Sequence, residues 1–443
     1  MPKQLASIIT QLRQGIVGEV TDIVPESYQA DFGRLRHKQP SILVTATCEA
    51  DIVHALKVAQ DNDIPITVRG AGHSCNGQSL CNGGIILKNF IPEAQAEWLS
   101  ENLVEVTGRS RWREVELLLN QSGRQTKVLT DYLDMSVGGT LSVGGIGMNS
   151  IISGFQVDNV SRLRLIQLDG RSIWCSPQEN GDLFRFALAG LGQVGIIEKV
   201  VMKTDQHCQY THVIKRKHSS LSEMLSFLPE IASPDNGIQH FNGYIYPEEI
   251  SSEYGYFSNE KELNPSRLES KLIQDSGEIS VHQDFPLKIH TRRDIWLSSF
   301  SDHVRLWTDY IFNYDGIVRF MQFLEPQLAE PPLSETLKAM YILMIRRPSN
   351  YTNFAFLPAP PGELLFSVGM YTMVNRWHPV LLAKSLDSPQ NALVTCCALG
   401  GRPYLYGCSN LDHTTKHKLY RDDYPKLLNL RSYYRSVLNA ESW

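Results

Sequence analysis

The chain has 443 residues, a net charge of −5 and 20% charged residues, so it is long enough for two domains and lacks the basic surplus that tracks nucleic-acid phosphates. Its one dense basic run, Lys215-Arg216-Lys217-His218, reads as a solvated strand end, and no apolar stretch approaches a membrane span. The eight cysteines are scattered with no C-x-x-C pair, which argues against a zinc framework and predicts free thiols in a reducing compartment.

In chain order, residues 1–13 space apolar side chains as an amphipathic helix does and form no signal-peptide core, so a cytoplasmic location is expected. Residues 42–45 predict a strand, and Thr47 predicts the N-cap of a helix whose first turn carries Glu49 and Asp51. Ile52, Leu56 and Ala59 give that helix one apolar face, and residues 64–68 form the next strand. This unit delivers Arg69-Gly70-Ala71-Gly72-His73-Ser74-Cys75-Asn76-Gly77-Gln78 at a strand's carboxyl end, where α/β sheets bind ligands. Gly70, Gly72 and Gly77 tolerate positive φ, so backbone N–H groups can converge on a pyrophosphate with the His73 imidazole at the edge. Cys75 and Cys81 flank the loop as small buried thiols. Residues 83–87 and 103–107 are expected as strands of a following mixed sheet.

A second glycine-rich segment covers residues 130–147, with Gly138-Gly139 and Gly144-Gly145 as poor helix or strand interior. A third, residues 190–197, leads into a strand over 196–202. Three such loops imply a cofactor larger than a mononucleotide. Asp131 lies among Val128, Leu129, Tyr132 and Leu133, a setting suited to a desolvated base; an isolated Asp-Tyr would read rather as a loop aspartate capping amides, but not beside this Gly-Gly segment. From residue 206 the glycine loops stop. Residues 301–323 read as a helical run with Val304, Trp307, Ile311 and Phe312 on its apolar side, and the proline-rich stretch 356–363 reads as a loop before a strand at 364–368. Trp296, Trp307, Phe354, Phe356, Met370 and Trp377 supply apolar bulk for a flat pocket, although a plain core role is the better reading of each. His413 and His417 lie four apart without a third ligand nearby and read as an exposed face, so no metal site is expected.

The Gly-His-Ser loop with Asn-Gly-Gln after it, Thr130-Asp131-Tyr132-Leu133 followed by Val-Gly-Gly-Thr-Leu-Ser, and Gly190-Leu191-Gly192-Gln193-Val194-Gly195-Ile196-Ile197 together resemble the cytokinin dehydrogenases, within the vanillyl-alcohol oxidase and p-cresol methylhydroxylase (VAO/PCMH) superfamily of FAD-linked oxidases. The resemblance is ordered over residues 30–205 and returns at Gly400-Gly401-Arg402-Pro403-Tyr404-Leu405; Tyr433 to Asn439 sit where the family has an Asp-Pro-x-x-x-Leu motif.

The resemblance implies an α+β, two-domain fold: a PCMH-type FAD-binding domain at 1–205, a substrate domain with a large antiparallel sheet flanked by helices at 206–403, and a segment at 404–443 returning to the first. His73 matches the histidine that the family joins covalently to the 8α carbon of FAD. Gly70, Ala71, Gly72, Ser74, Gln78, Ser136, Ser142, Ile146, Ile197 and Tyr404 fall on further cofactor-contacting positions, with Asn439 and Ser442 at the terminal ones. Ser136 stands where berberine bridge enzymes carry a second attachment cysteine, so one tether is expected. Asp131 matches the catalytic aspartate; Asp134 is the rival carboxylate, and Glu248, Glu249 and Glu253 are candidates for a second substrate-facing acid. The implied reaction is oxidative cleavage of an N6-isoprenoid adenine to adenine and an aldehyde, with oxygen or a quinone as acceptor. The alternatives are an FAD-linked oxidase of a sugar, alcohol or secondary metabolite, and a flavin- or purine-binding protein without turnover.

Overall fold

The computed structural model describes residues 2–91, 93–274, 277–284, 296–357, 359–433 and 438. Three sheets follow one another along the chain. Strands β1 (Glu19–Thr21), β2 (Ile42–Thr45), β3 (Ile66–Arg69) and β4 (Ile85–Lys88) form a sheet in the order β1-β2-β4-β3, with β2, β4 and β3 parallel and β1 antiparallel at the edge. Helices Pro2–Gly15 and Glu49–Asp61 bury Ile8, Ile9, Leu12, Ile52, Leu56 and Ala59 against it.

The second sheet contains β5 (Ala96–Ser100), β6 (Leu103–Thr107), β7 (Arg124–Thr126), β8 (Val160–Gln167), β9 (Ser172–Cys175) and β10 (Gly195–Gln206), in the order β5-β6-β10-β8-β9 with β7 also on β10. Its pairings are all antiparallel, so the expected mixed sheet is corrected. Residues 85–88 belong instead to the centre of the first sheet. Ile85, Ile86 and Leu87 are all fully buried, as a parallel strand covered on both faces requires.

The third sheet contains β11 (Tyr210–His218), β12 (His240–Ile245), β13 (Ile250–Ser258), β14 (Glu278–Gln283), β15 (His303–Phe312), β16 (Leu337–Arg346), β17 (Leu364–Asn375) and β18 (Arg402–Pro403), in the order β14-β11-β13-β12-β16-β17-β15-β18. Its central strands alternate sides. Met340, Ile342, Met344, Phe366, Val368, Tyr310 and Phe312 pack beneath helices Leu221–Ile231, Tyr314–Leu328 and Asp387–Ala398. Tyr341, Leu343, Tyr371 and Trp307 point the other way, into a cavity.

Two local expectations are overturned. Residues 301–323 are not one helix: β15 ends at Phe312, and Asn313 caps the helix Tyr314–Leu328 by accepting the Gly316 N–H at 2.9 Å. Val304, Trp307 and Ile311 fit helical spacing by coincidence; His303, Arg305 and Asp309 alternate with Val304, Leu306 and Tyr310 at the strand period of two, which the apolar positions alone conceal. Thr47 is not an N-cap. Its N–H and hydroxyl donate to Asp51 Oδ2 at 2.7 and 2.9 Å, and the helix begins after Cys48.

Lys215-Arg216-Lys217-His218 closes β11, where Lys215 and Lys217 both pair with Glu249 at 2.6 Å. Among the described residues no helix is long and apolar enough to cross a membrane, and no group of three or more side chains is set to hold a metal ion.

Candidate active site

The loop after β3 is held in place by bonds to a segment far along the chain. Cys75 N–H donates to the Tyr406 carbonyl at 2.8 Å, Asn76 Nδ2 to the Ser409 carbonyl at 2.8 Å and Gln78 Nε2 to the Leu405 carbonyl at 2.8 Å. Gly72 and Gly77 adopt left-handed φ values of 72° and 75°. Gly70 does not; its requirement is space, since a Cβ there would lie 2.1 Å from Ser136 Oγ.

His73 sits within this loop with its ring stacked on Phe32, centroids 3.8 Å apart, and edge-on to Tyr132 at 4.7 Å. Its Nε2 is buried and has no hydrogen-bond partner among the described residues. Burial, reinforced by the nearby Arg305 guanidinium, pushes the imidazole down to about 3, so near neutrality the ring is uncharged and keeps a nitrogen lone pair.

The second glycine segment folds over the same space. Gly138 and Gly139 lie inside the one-turn helix Val137–Leu141, against the expectation for a glycine pair. Close packing explains them: Gly138 N–H donates to the Gly108 carbonyl at 2.8 Å, and a Cβ on Gly139 would lie 2.7 Å from Ser136 Oγ. Ser142 Oγ donates to the Gly138 carbonyl at 2.7 Å, and the Tyr404 hydroxyl accepts the Gly145 N–H at 2.6 Å.

Gly70, Ala71, Gly72, His73, Ser74, Gln78, Asp131, Ser136, Ser142, Ile146, Ile197 and Tyr404 all line one cavity of about 270 Å³. One part of its wall is glycine and serine backbone. Another is aromatic: Trp307 from β15, Tyr341 from β16, Tyr371 from β17, and Tyr406. Asp131 is partly buried and shares the cavity with both. Such a space suits an elongated ligand with an anionic middle and a planar end beside a carboxylate.

The other carboxylates lie elsewhere. Asp134 pairs with Arg113 at 3.0 Å, Glu249 is taken by its two lysines, and neither Glu248 nor Glu253 lines the cavity. Of the aromatic bulk, Trp307 lines the cavity and Trp296 packs behind it at 6.3 Å, whereas Phe354, Phe356 and Met370 are core and Trp377 is 68% exposed. Asn439 and Ser442 lie outside the described residues; Leu438 lines the cavity and bridges to Ile66. Tyr341, Tyr371 and Tyr406 escaped sequence reasoning because each sits in an apolar run that gives no hint of which face meets a ligand.

Residues 40–176 match the family model described as an FAD binding domain. The chain is 32% identical over 370 residues to an uncharacterized oxidoreductase, ORF5 in the fasciation locus of Rhodococcoides fascians, covering 79% of this chain and 81% of that protein. It is 33% identical over 186 residues to cytokinin dehydrogenase 10 of Oryza sativa subsp. japonica, covering 40% of this chain and 34% of that protein. Against cytokinin dehydrogenase 5 of the same plant it is 28% identical over 299 residues, covering 60% and 55%. In fold it is similar to the VAO-type flavoprotein MtVAO615 from Myceliophthora thermophila C1, with a TM-score of 0.76 at 15% identity, covering 100% of this chain and 94% of that one.

The residues present fit FAD. His73, whose Nε2 is buried without a hydrogen-bond partner among the described residues, lines the cavity with Gly70, Gly139 and the planar rings, and both glycines leave room for Ser136 Oγ in that wall, which a Cβ on either would strike. With this geometry, the two-domain α+β fold and the relatives taken together, the chain belongs to the cytokinin dehydrogenase-like FAD-binding oxidoreductases of the VAO/PCMH family.

Proposed function

We propose that this protein oxidises N6-isoprenoid adenines, the cytokinins, to adenine and an aldehyde, with FAD tethered through His73 and oxygen or a quinone as terminal acceptor. The observation that carries this reading is that His73 and Asp131 line one cavity together with Trp307, Tyr341 and Tyr371. Similarity to the plant cytokinin dehydrogenases supports it.

Bound FAD supplies the acceptor for the hydride that leaves the side-chain carbon next to nitrogen. The chain's own residues do the rest. Neutral His73, clamped between Phe32 and Tyr132, offers its nitrogen lone pair for the tether without first losing a proton. Asp131 receives the proton of the substrate's N6 amine as the carbon–nitrogen double bond forms. The aromatic side chains seat a flat purine and keep water away from the reacting carbon. The resulting imine of the substrate then takes up water and falls apart to adenine and aldehyde.

Anaerobic mixing with isopentenyladenine tests this directly: the yellow flavin band should bleach within seconds. Indifference to isopentenyladenine, with bleaching by a sugar, alcohol or secondary metabolite instead, would replace the substrate while keeping the oxidase.

A further inference from the structure

Asp309 is a fully buried acid on β15, directly behind the aromatic wall. In register it faces Gly369 on β17, and Gly369 in turn faces Tyr341 on β16. Two strand spacings amount to about 10 Å, a gap that a tyrosine side chain bridges only when the intervening position is empty. Gly369 leaves it empty, since a Cβ there would lie 2.0 Å from the Tyr341 ring. The Tyr341 hydroxyl therefore reaches across and donates to Asp309 Oδ1, while the Tyr341 ring lines the cavity. Asp309 Oδ2 has no hydrogen-bond partner among the described residues.

The groups around this carboxyl are Tyr310 on its own strand, Tyr341 on β16, Tyr404 and Tyr406 beyond β18, and Cys75 in the histidine loop. None is a cation. Burial accordingly pushes Asp309 up to about 7, with the hydrogen bond from Tyr341 opposing the rise. An ionised carboxylate only accepts, so the Tyr341 hydroxyl must donate its hydrogen bond to Asp309 and turn its lone pairs toward the cavity. A protonated carboxyl donates to the Tyr341 oxygen, which frees the phenolic hydrogen to turn toward the ligand.

We propose that Asp309 is a positioning residue that sets the polarity of the hydroxyl Tyr341 presents to substrate: a donor when Asp309 holds a proton, an acceptor when it does not. The protonated form suits a planar heterocycle with bare ring nitrogens, and only this choice of ligand rests on the proposed function.

The test has two arms, both on the flavin-loaded protein in a Glu116→Gln background, because Glu116 is also a buried acid pushed up to about 7. Infrared difference spectra taken across neutral pH should show a buried carboxyl band vanishing as pH rises, together with a shift of one tyrosine C–O band. Both signals should be missing in Asp309→Asn. In Gly369→Ala, which keeps both partners but separates them, the carboxyl band should titrate without the tyrosine shift. In the second arm, calorimetric binding of adenine should weaken about tenfold on crossing neutrality, the worth of one hydrogen bond, and this dependence should flatten in Tyr341→Phe. A carboxyl and tyrosine response unchanged by Asp309→Asn overturns the proposal, as does pH-dependent adenine binding unchanged in Tyr341→Phe. Failure of adenine to bind at any pH counts against the cytokinin reading, and the infrared arm still decides the switch.

Discussion

The Tyr404 hydroxyl accepts the backbone N–H of Gly145 at 2.6 Å, fastening the second glycine segment to a residue 259 positions further along. Gly145 is held at φ 76°, where its N–H points inward and must find a partner. Tyr404→Phe keeps the ring and removes that partner. The expected loss is about 1–3 kcal/mol of stability, read from urea denaturation of the flavin-loaded protein. An unchanged midpoint would mean that the contact carries no weight.

His73→Ala removes the one imidazole that meets the cofactor cavity in the histidine loop. Acid precipitation of the wild type should carry yellow flavin into the pellet, and precipitation of the variant should leave it in the supernatant. Flavin released from both would disprove the tether.

Asp131→Asn preserves shape and removes the proton acceptor. Turnover of isopentenyladenine should fall by about 10²–10⁴-fold, the usual worth of a positioned base, while the flavin spectrum stays intact. Turnover within a few-fold of wild type would move the base elsewhere.

Glu116 gives a pH signature of known sign. It is buried, and burial pushes it from 4.5 up to about 7 despite the Thr126 N–H and hydroxyl that it accepts at 3.0 and 2.8 Å. Between those values the folded protein holds a proton that the unfolded chain has released. The contribution is therefore fully present below pH 4.5 and lost as pH rises through about 7. Relative to Glu116→Gln, the wild type should lose about 3 kcal/mol over that window. Denaturation curves at a series of pH values check this; a gap that widens in the wild type's favour as pH rises would reverse the assignment.

Legibility in the sequence followed the way each part of the site is built. The cofactor side is made of short contiguous runs whose glycines answer to local needs: left-handed backbone at Gly72 and Gly77, close approach at Gly70 and Gly139. Those needs show in composition. The aromatic side is assembled from strands whose neighbours are remote in the chain, and β15, buried on both faces although it carries Arg305, Thr308 and Asp309, has apolar positions that also fit helical spacing.

From the chain alone came the three glycine segments, because each answers to local backbone needs; the pairing of His73 with Asp131 and the α+β class came from the resemblance that those segments carry. Tertiary structure alone decided that Tyr341 and Asp309 meet across Gly369, that Tyr404 secures Gly145, and that Glu249 is spent on two lysines. The first depends on sheet register, where a slip of one residue turns every side chain to the opposite face, and the others on contacts between loops or turns and partners remote in the chain; no short stretch of sequence encodes either.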